Sequence, residues 1–128
     1  MALIPTVRCS RLAASIAFYT GVLDFTLVWS SSGDDPAFAV LRRGDDRLCL
    51  SSHAGDGEYG QAIGVLVDSV DAVFDRFVSR GLDVSAAPPG PVHRGPTDQT
   101  WGTREFYVDD PDGNTWMLQE IRRRLPGR

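Results

Sequence analysis

The chain has 128 residues, with 13 basic and 17 acidic side chains, a formal net charge of −4, 42% apolar and 23% charged residues. That length accommodates one globular domain and not comfortably two, and the composition is ordinary for one that folds on its own core. The acidic balance argues against nucleic acid, no apolar run approaches the ~20 residues of a membrane span, and the opening Met1-Ala2-Leu3-Ile4-Pro5 lacks the basic and long apolar regions of a secretion signal, so a cytoplasmic protein is expected.

Residues 3–9 form an apolar run read as a strand. Ser10 is the expected cap of a helix on which Leu12, Ile16, Tyr19 and Leu23 share one face. Strands follow at 25–30, 38–41 and 47–52, the last two joined by Arg43-Gly44-Asp45-Asp46, a turn sequence that tolerates positive φ. Residues 54–60, rich in glycine and acid, read as a linker. Then the order restarts. Residues 62–67 read as a strand, Asp68 or Ser69 as a cap, and Val70, Val73, Phe74, Phe77 and Val78 as one face of a helix ending near Gly81. A strand is expected at 82–86, and a long loop with four prolines at 87–100. The final hairpin is 104–108 and 115–121, closed by Asp110-Pro111-Asp112-Gly113-Asn114. The basic tail Arg122-Arg123-Arg124 reads as a solvated end. Cys9 and Cys49 lie in apolar runs without metal-site spacing and read as reduced, buried thiols.

The two halves overlay. Leu12 falls on Val70, Ile16 on Phe74 and Tyr19 on Phe77; in the hairpins Val40 falls on Val108, Leu48 on Trp116, Cys49 on Met117 and Leu50 on Leu118. The expected fold class is α+β: one domain, residues 1–128, made of two β-α-β-β-β modules at about 3–53 and 61–121.

Two motifs carry a resemblance. Trp101-Gly102-Thr103-Arg104-Glu105-Phe106-Tyr107-Val108 running into the 110–114 turn resembles the last hairpin of the glyoxalase/bleomycin-resistance/extradiol-dioxygenase superfamily, the vicinal oxygen chelate fold. Ser15-Ile16-Ala17-Phe18-Tyr19 and Gly21-Val22-Leu23-Asp24-Phe25 resemble its first helix and exit. The resemblance covers almost the whole chain. It implies a curled mixed sheet around a cleft, and a homodimer. Enzymes of the superfamily hold a divalent metal at four positions, which fall here on Ile4, Cys49, Ala62 and Met117. None is a carboxylate or imidazole, and His53 and His93 fall elsewhere, so no metal, cofactor or catalytic residue is assigned, and glyoxalase I or extradiol dioxygenase activity is rejected.

Strand alternation extends the expectation to a ligand cleft. Cys49 brings Ser51 with it, His53 lies at the strand end, and Phe38 shares that face across the hairpin. In the second module Met117 brings Gln119, and Val108 is taken to bring Phe106 and Arg104. Trp116 is expected on the helix-covered side. Trp101 either lines the cleft or packs under the 88–96 loop. In bleomycin-resistance proteins, aromatics matching Trp101 and Phe38 flank a flat heteroaromatic drug tail. The leading expectation is a metal-independent protein that sequesters an antibiotic or similar flat, cationic or aromatic small molecule in a dimer cleft. The acids Asp34, Asp35, Asp56 and Glu58 stand near its rim. The alternative is a metal-free or divergent isomerase or lyase resting on Cys49 or His53.

Overall fold

The computed structural model describes residues 1–31 and 34–122. Ser32 and Gly33, between the strands expected at 25–30 and 38–41, and Arg123 and Arg124 of the basic tail lie outside the described residues. The elements run β1 (Thr6–Arg8), α1 (Leu12–Gly21), β2 (Thr26–Ser30), β3 (Phe38–Arg43), β4 (Asp46–Ser51), β5 (Ala62–Leu66), α2 (Val70–Ser79), α3 (Pro91–Arg94), β6 (Thr97–Asp98), β7 (Thr103–Asp109) and β8 (Thr115–Ile121). They make an α+β architecture with two four-stranded mixed sheets, ordered β1-β4-β3-β2 and β5-β8-β7-β6. Backbone contacts divide the chain into two compact units. One is Met1–Gln61 with Asp110–Asn114, and the other Ala62–Asp109 with the C-terminal stretch from Thr115. Among the described residues no helix is long and apolar enough to cross a membrane.

In the first unit, alternation along the strands puts Val7, Ala39, Leu41, Leu48 and Leu50 under α1, each no more than 1% exposed. Leu12, Tyr19 and Leu23 close that core from above. Each fully buried leucine contributes roughly 1.5–3 kcal/mol of apolar transfer. The helix starts without a local cap. Ser10 does not serve, and Arg11 makes no side-chain cap bond. The carboxylate of Asp35 accepts from the Leu12 N–H at 3.0 Å instead, a partner 23 residues away in sequence. It also accepts from the Ser52 hydroxyl at 2.6 Å, and these bonds, Ser52's first, hold its carboxyl below the usual carboxylate range.

The turn at 110–114 belongs to this unit and is anchored deep within it. Asp110 accepts from the Tyr19 hydroxyl at 2.6 Å, the Asn114 side-chain amide at 2.9 Å, and the backbone N–H groups of Asp112 and Asn114, each at 2.9 Å. Asn114 is fully buried; its amide donates to the Arg8 carbonyl and its oxygen accepts from the Gln61 N–H, each at 3.0 Å. The motif residues are thus occupied in holding the backbone.

In the second unit, Ser69 caps α2, accepting from the Ala72 N–H at 3.3 Å. Phe106, 1% exposed, meets Phe74 and Phe77 edge-on at centroid distances of 5.2 and 6.0 Å. Val108, Trp116 and Leu118 complete this core, so Trp116 sits where alternation expects it. The strand expected at 82–86 does not form. Asp83 accepts from the Ser85 N–H at 3.0 Å and so folds Val84–Ala86 into a 3-10 turn. The fourth strand is β6, inside the proline-rich loop, pairing Thr97 with Glu105 and Asp98 with Arg104.

Candidate functional site

Each sheet turns one face to its helix and one away. Of the expected cleft residues, Phe38, Cys49, Ser51, Met117 and Gln119 lie on the faces turned away. In the first sheet, Phe38 pairs with Ser51 and Val40 with Cys49. Those strand residues therefore lie together on one face, beside Thr6 and Arg8 of β1. Ser51 is fully buried; its hydroxyl donates to Asp56 at 2.7 Å and accepts from the His53 N–H at 3.2 Å. The His53 side chain itself is exposed, beyond the strand end. The Arg8 guanidinium lies 4.5 Å from the Tyr59 ring centroid. Cys49 is a free, half-buried thiol, and burial pushes its pKa up, keeping it protonated at neutral pH. Cys9 is likewise free, buried and raised by burial.

The second sheet departs from the expectation. Met117 and Gln119 do share the face turned away from α2, but their partners across β7 are Tyr107 and Glu105. Arg104 and Phe106 point the other way. Phe106 belongs to the helix-side core, and Arg104 pairs with Asp71 of α2 at 3.0 Å and with Asp98 at 3.3 Å. The cause is one residue of turn length. Gly44-Asp45 spans two residues between Arg43 and Asp46, whereas Pro111-Asp112-Gly113 spans three between Asp110 and Asn114, where an Asp110 N–H to Asn114 carbonyl bond of 2.8 Å closes the hairpin. With Cys49 laid on Met117, Val40 therefore corresponds to Tyr107 and Phe38 to Glu105; the overlay of Val40 on Val108 slips by one. A one-residue slip exchanges the faces of a strand.

Glu105 and Tyr107 are the residues the sequence reading missed. Glu105 is 1% exposed. It accepts from the Trp101 indole N–H and the Tyr107 hydroxyl, each at 3.1 Å, and from the Thr103 hydroxyl. Burial, and then the bond to Glu105, push the Tyr107 phenol up, so it stays a donor. His93 of α3 meets the Tyr107 ring edge-on at 5.7 Å. Trp101 is 53% exposed. The signal for Glu105 was in the sequence, in a charged residue alternating with Thr103 and Tyr107. Reading it needed the correct register.

The metal positions of the superfamily can be tested on the same registers. Thr6 pairs with Cys49 and Gly64 with Met117, so Ile4 and Ala62 each stand two residues before equivalent pairs. Ile4 is exposed and has no donor, Ala62 has none, and Met117 offers only a soft thioether. Cys49 is a protonated thiol. This donor set does not fit a hard divalent cation.

Comparison with known proteins agrees with the fold. The Tn5-encoded bleomycin resistance determinant superposes with a TM-score of 0.75 at 22% identity, covering 96% of this chain and 99% of that one. A bleomycin-binding protein complexed with bleomycin gives 0.70 at 23% identity, covering 97% and 99%. The bleomycin-binding protein of bleomycin-producing Streptomyces verticillus, complexed with copper(II)-bleomycin, gives 0.64 at 25% identity, covering 92% and 93%. No curated protein matches the sequence. The family model for the glyoxalase/bleomycin resistance protein/dioxygenase superfamily matches residues 4–118, nearly the full length of a chain whose two sheets share one strand order, and the protein belongs to that superfamily.

Proposed function

We propose that this chain is a metal-independent small-molecule-binding protein of the bleomycin-resistance type, acting as one two-module domain per protomer of a homodimer. It sequesters an antibiotic or similar flat aromatic ligand in a dimer cleft, and stoichiometric binding without covalent chemistry is enough for protection. The observation that carries this reading is Trp101, half-exposed yet held at its N–H by a buried carboxylate. A fixed, exposed indole is a stacking surface, and stacking on such a ring contributes about 1–3 kcal/mol in the analogous nucleobase case. Phe38 and Val40 supply an apolar face on the first sheet. The neighbours whose structures contain bleomycin support the ligand class.

The test is a titration of bleomycin-type and related aromatic antibiotics against micromolar protein. Saturable binding of one ligand per protomer is expected, with fluorescence quenching that disappears in Trp101→Phe. A panel that produces no saturation and no thermal shift sinks the antibiotic reading. No observation favours the enzymatic alternative, because Cys49 is held as a thiol and the side chain of His53 stands in solvent.

A further inference from the structure

The face of the second sheet turned away from α2 buries a carboxylate whose bonding partners are all neutral. Glu105 is 1% exposed and accepts hydrogen bonds from an indole, a phenol and a hydroxyl. Its neighbour Arg104 points to the other face and is engaged by Asp71 and Asp98. Among the described residues no arginine or histidine forms an ion pair with Glu105. Burying a carboxylate without a cation costs free energy even when its lone pairs are satisfied, and a neutral glutamine would accept from the same indole. The negative charge therefore calls for an explanation beyond folding. The Trp101 N–H touches this charge while the residue stays 53% exposed. An indole whose N–H is bonded to an anion carries more electron density on its ring faces, and a cation over such a face is attracted more strongly.

We propose that Glu105 is a positioning and charge-selecting residue. Its carboxylate fixes the Trp101 ring as a preset stacking surface and makes that surface prefer flat cationic heteroaromatic ligands over neutral ligands of the same shape. The proposal rests on the aromatic-ligand reading above and names what that site selects. Glu105 acts through Trp101 and does not touch the ligand, since it is itself covered.

The experiment compares N-methylquinolinium with quinoline at neutral pH, binding to the purified full chain, to Glu105→Gln and to Trp101→Phe. The indole N–H resonance of Trp101, identified by its loss in Trp101→Phe, is followed in parallel. The wild type is expected to prefer the cation about tenfold, the size of one partly desolvated cation–π contact. In Glu105→Gln that preference should fall to about twofold or less, with the affinity for quinoline nearly unchanged and the indole resonance displaced. A merely structural role would weaken both probes alike. An undiminished preference in Glu105→Gln overturns the inference and leaves the ligand reading standing. An indole resonance that stays in place in Glu105→Gln means that the carboxylate charge does not act on the Trp101 ring and overturns the proposal. Failure of the wild type to bind either probe, together with a blank antibiotic panel, overturns both readings. If Glu105→Gln does not fold, Trp101→Phe decides. It keeps a ring but severs the link to the carboxylate at a half-exposed position, and retention of the full preference there overturns the proposal.

Discussion

The two modules share an element order and a strand order but are held together by different means. The first helix is capped from 23 residues away by Asp35, the second by its own Ser69. The outer strand of the first sheet, β2, has five residues, and its counterpart β6 has two, embedded in a proline-rich loop. The first hairpin turns in two residues and the second in three, so a phenylalanine occupies in one module the position a glutamate holds in the other. Topology is thus the property common to the two modules, while caps, edges and face chemistry differ. Burial of one apolar face constrains the first. Any local arrangement that satisfies the backbone is sufficient for the rest.

The sharpest way to break the comparison is to truncate the two phenylalanines that a naive overlay treats as equivalents. Phe106→Ala should cost about 3–5 kcal/mol, because a packed ring leaves a cavity under α2. Phe38→Ala, at a half-buried position on the face away from α1, should cost less than half of that. Denaturant titration of both variants checks it, and equal losses would restore the slipped register.

The turns come next. Asp110→Ala strands a buried tyrosine hydroxyl and three N–H donors, and should cost about 3 kcal/mol. Asp45→Ala, in the exposed two-residue turn, should stay within about 0.5 kcal/mol of wild type. Smaller again is the capping contrast. Ser69→Ala should lose about 1 kcal/mol by thermal or chemical denaturation, and Ser10→Ala nothing measurable, since only the first accepts an N-cap bond.

The smallest effects separate charge from hydrogen bonding. The carboxyls of Asp71 and Asp35 both lie below their ordinary values, Asp71 chiefly through Arg104 and Asp35 chiefly through Ser52. A depressed carboxyl stabilises the fold at pH above its unfolded value, and the contribution disappears as pH falls through the lower folded value. Asn substitution at either site should therefore lower stability at neutral pH, with the difference from wild type closing under strong acid. The Asp71 effect, about 0.5 kcal/mol after allowance for its exposure, should shrink in molar salt. The Asp35 effect should largely persist there, because its main contributions are hydrogen bonds from the uncharged Ser52 hydroxyl and Leu12 N–H. Melting curves against pH at two salt concentrations decide between them.

Much of this was legible in the residues. The helix faces of Leu12, Tyr19 and Leu23 and of Val70 and Phe77, the placement of Trp116 in the core, and the pairing of Val40 with Cys49 all follow from periodicity. The failures have local causes. The 82–86 segment has strand-like composition, but the Asp83 side chain offers its backbone a competing bond. Ser10 is a good cap by type, yet the chain brings Asp35 to the helix start instead. Overlaying Val40 on Val108 puts Arg104 and Phe106 on the wrong face, because the second hairpin turn is one residue longer than the first.

By itself the sequence determined the strand and helix periodicities, because these depend on apolar spacing and turn residues that act over a few positions, and its Trp101–Asn114 and Ser15–Phe25 motifs pointed to the family. The family resemblance in those residues also implies four metal-ligand positions, and they hold Ile4, Cys49, Ala62 and Met117. Only the tertiary structure decided which side chains face away from the helices. Side-chain direction along a strand has a period of two, so one extra turn residue at Pro111-Asp112-Gly113 is enough to exchange Phe106 for Glu105, and an apolar ring for a buried charge beneath Trp101.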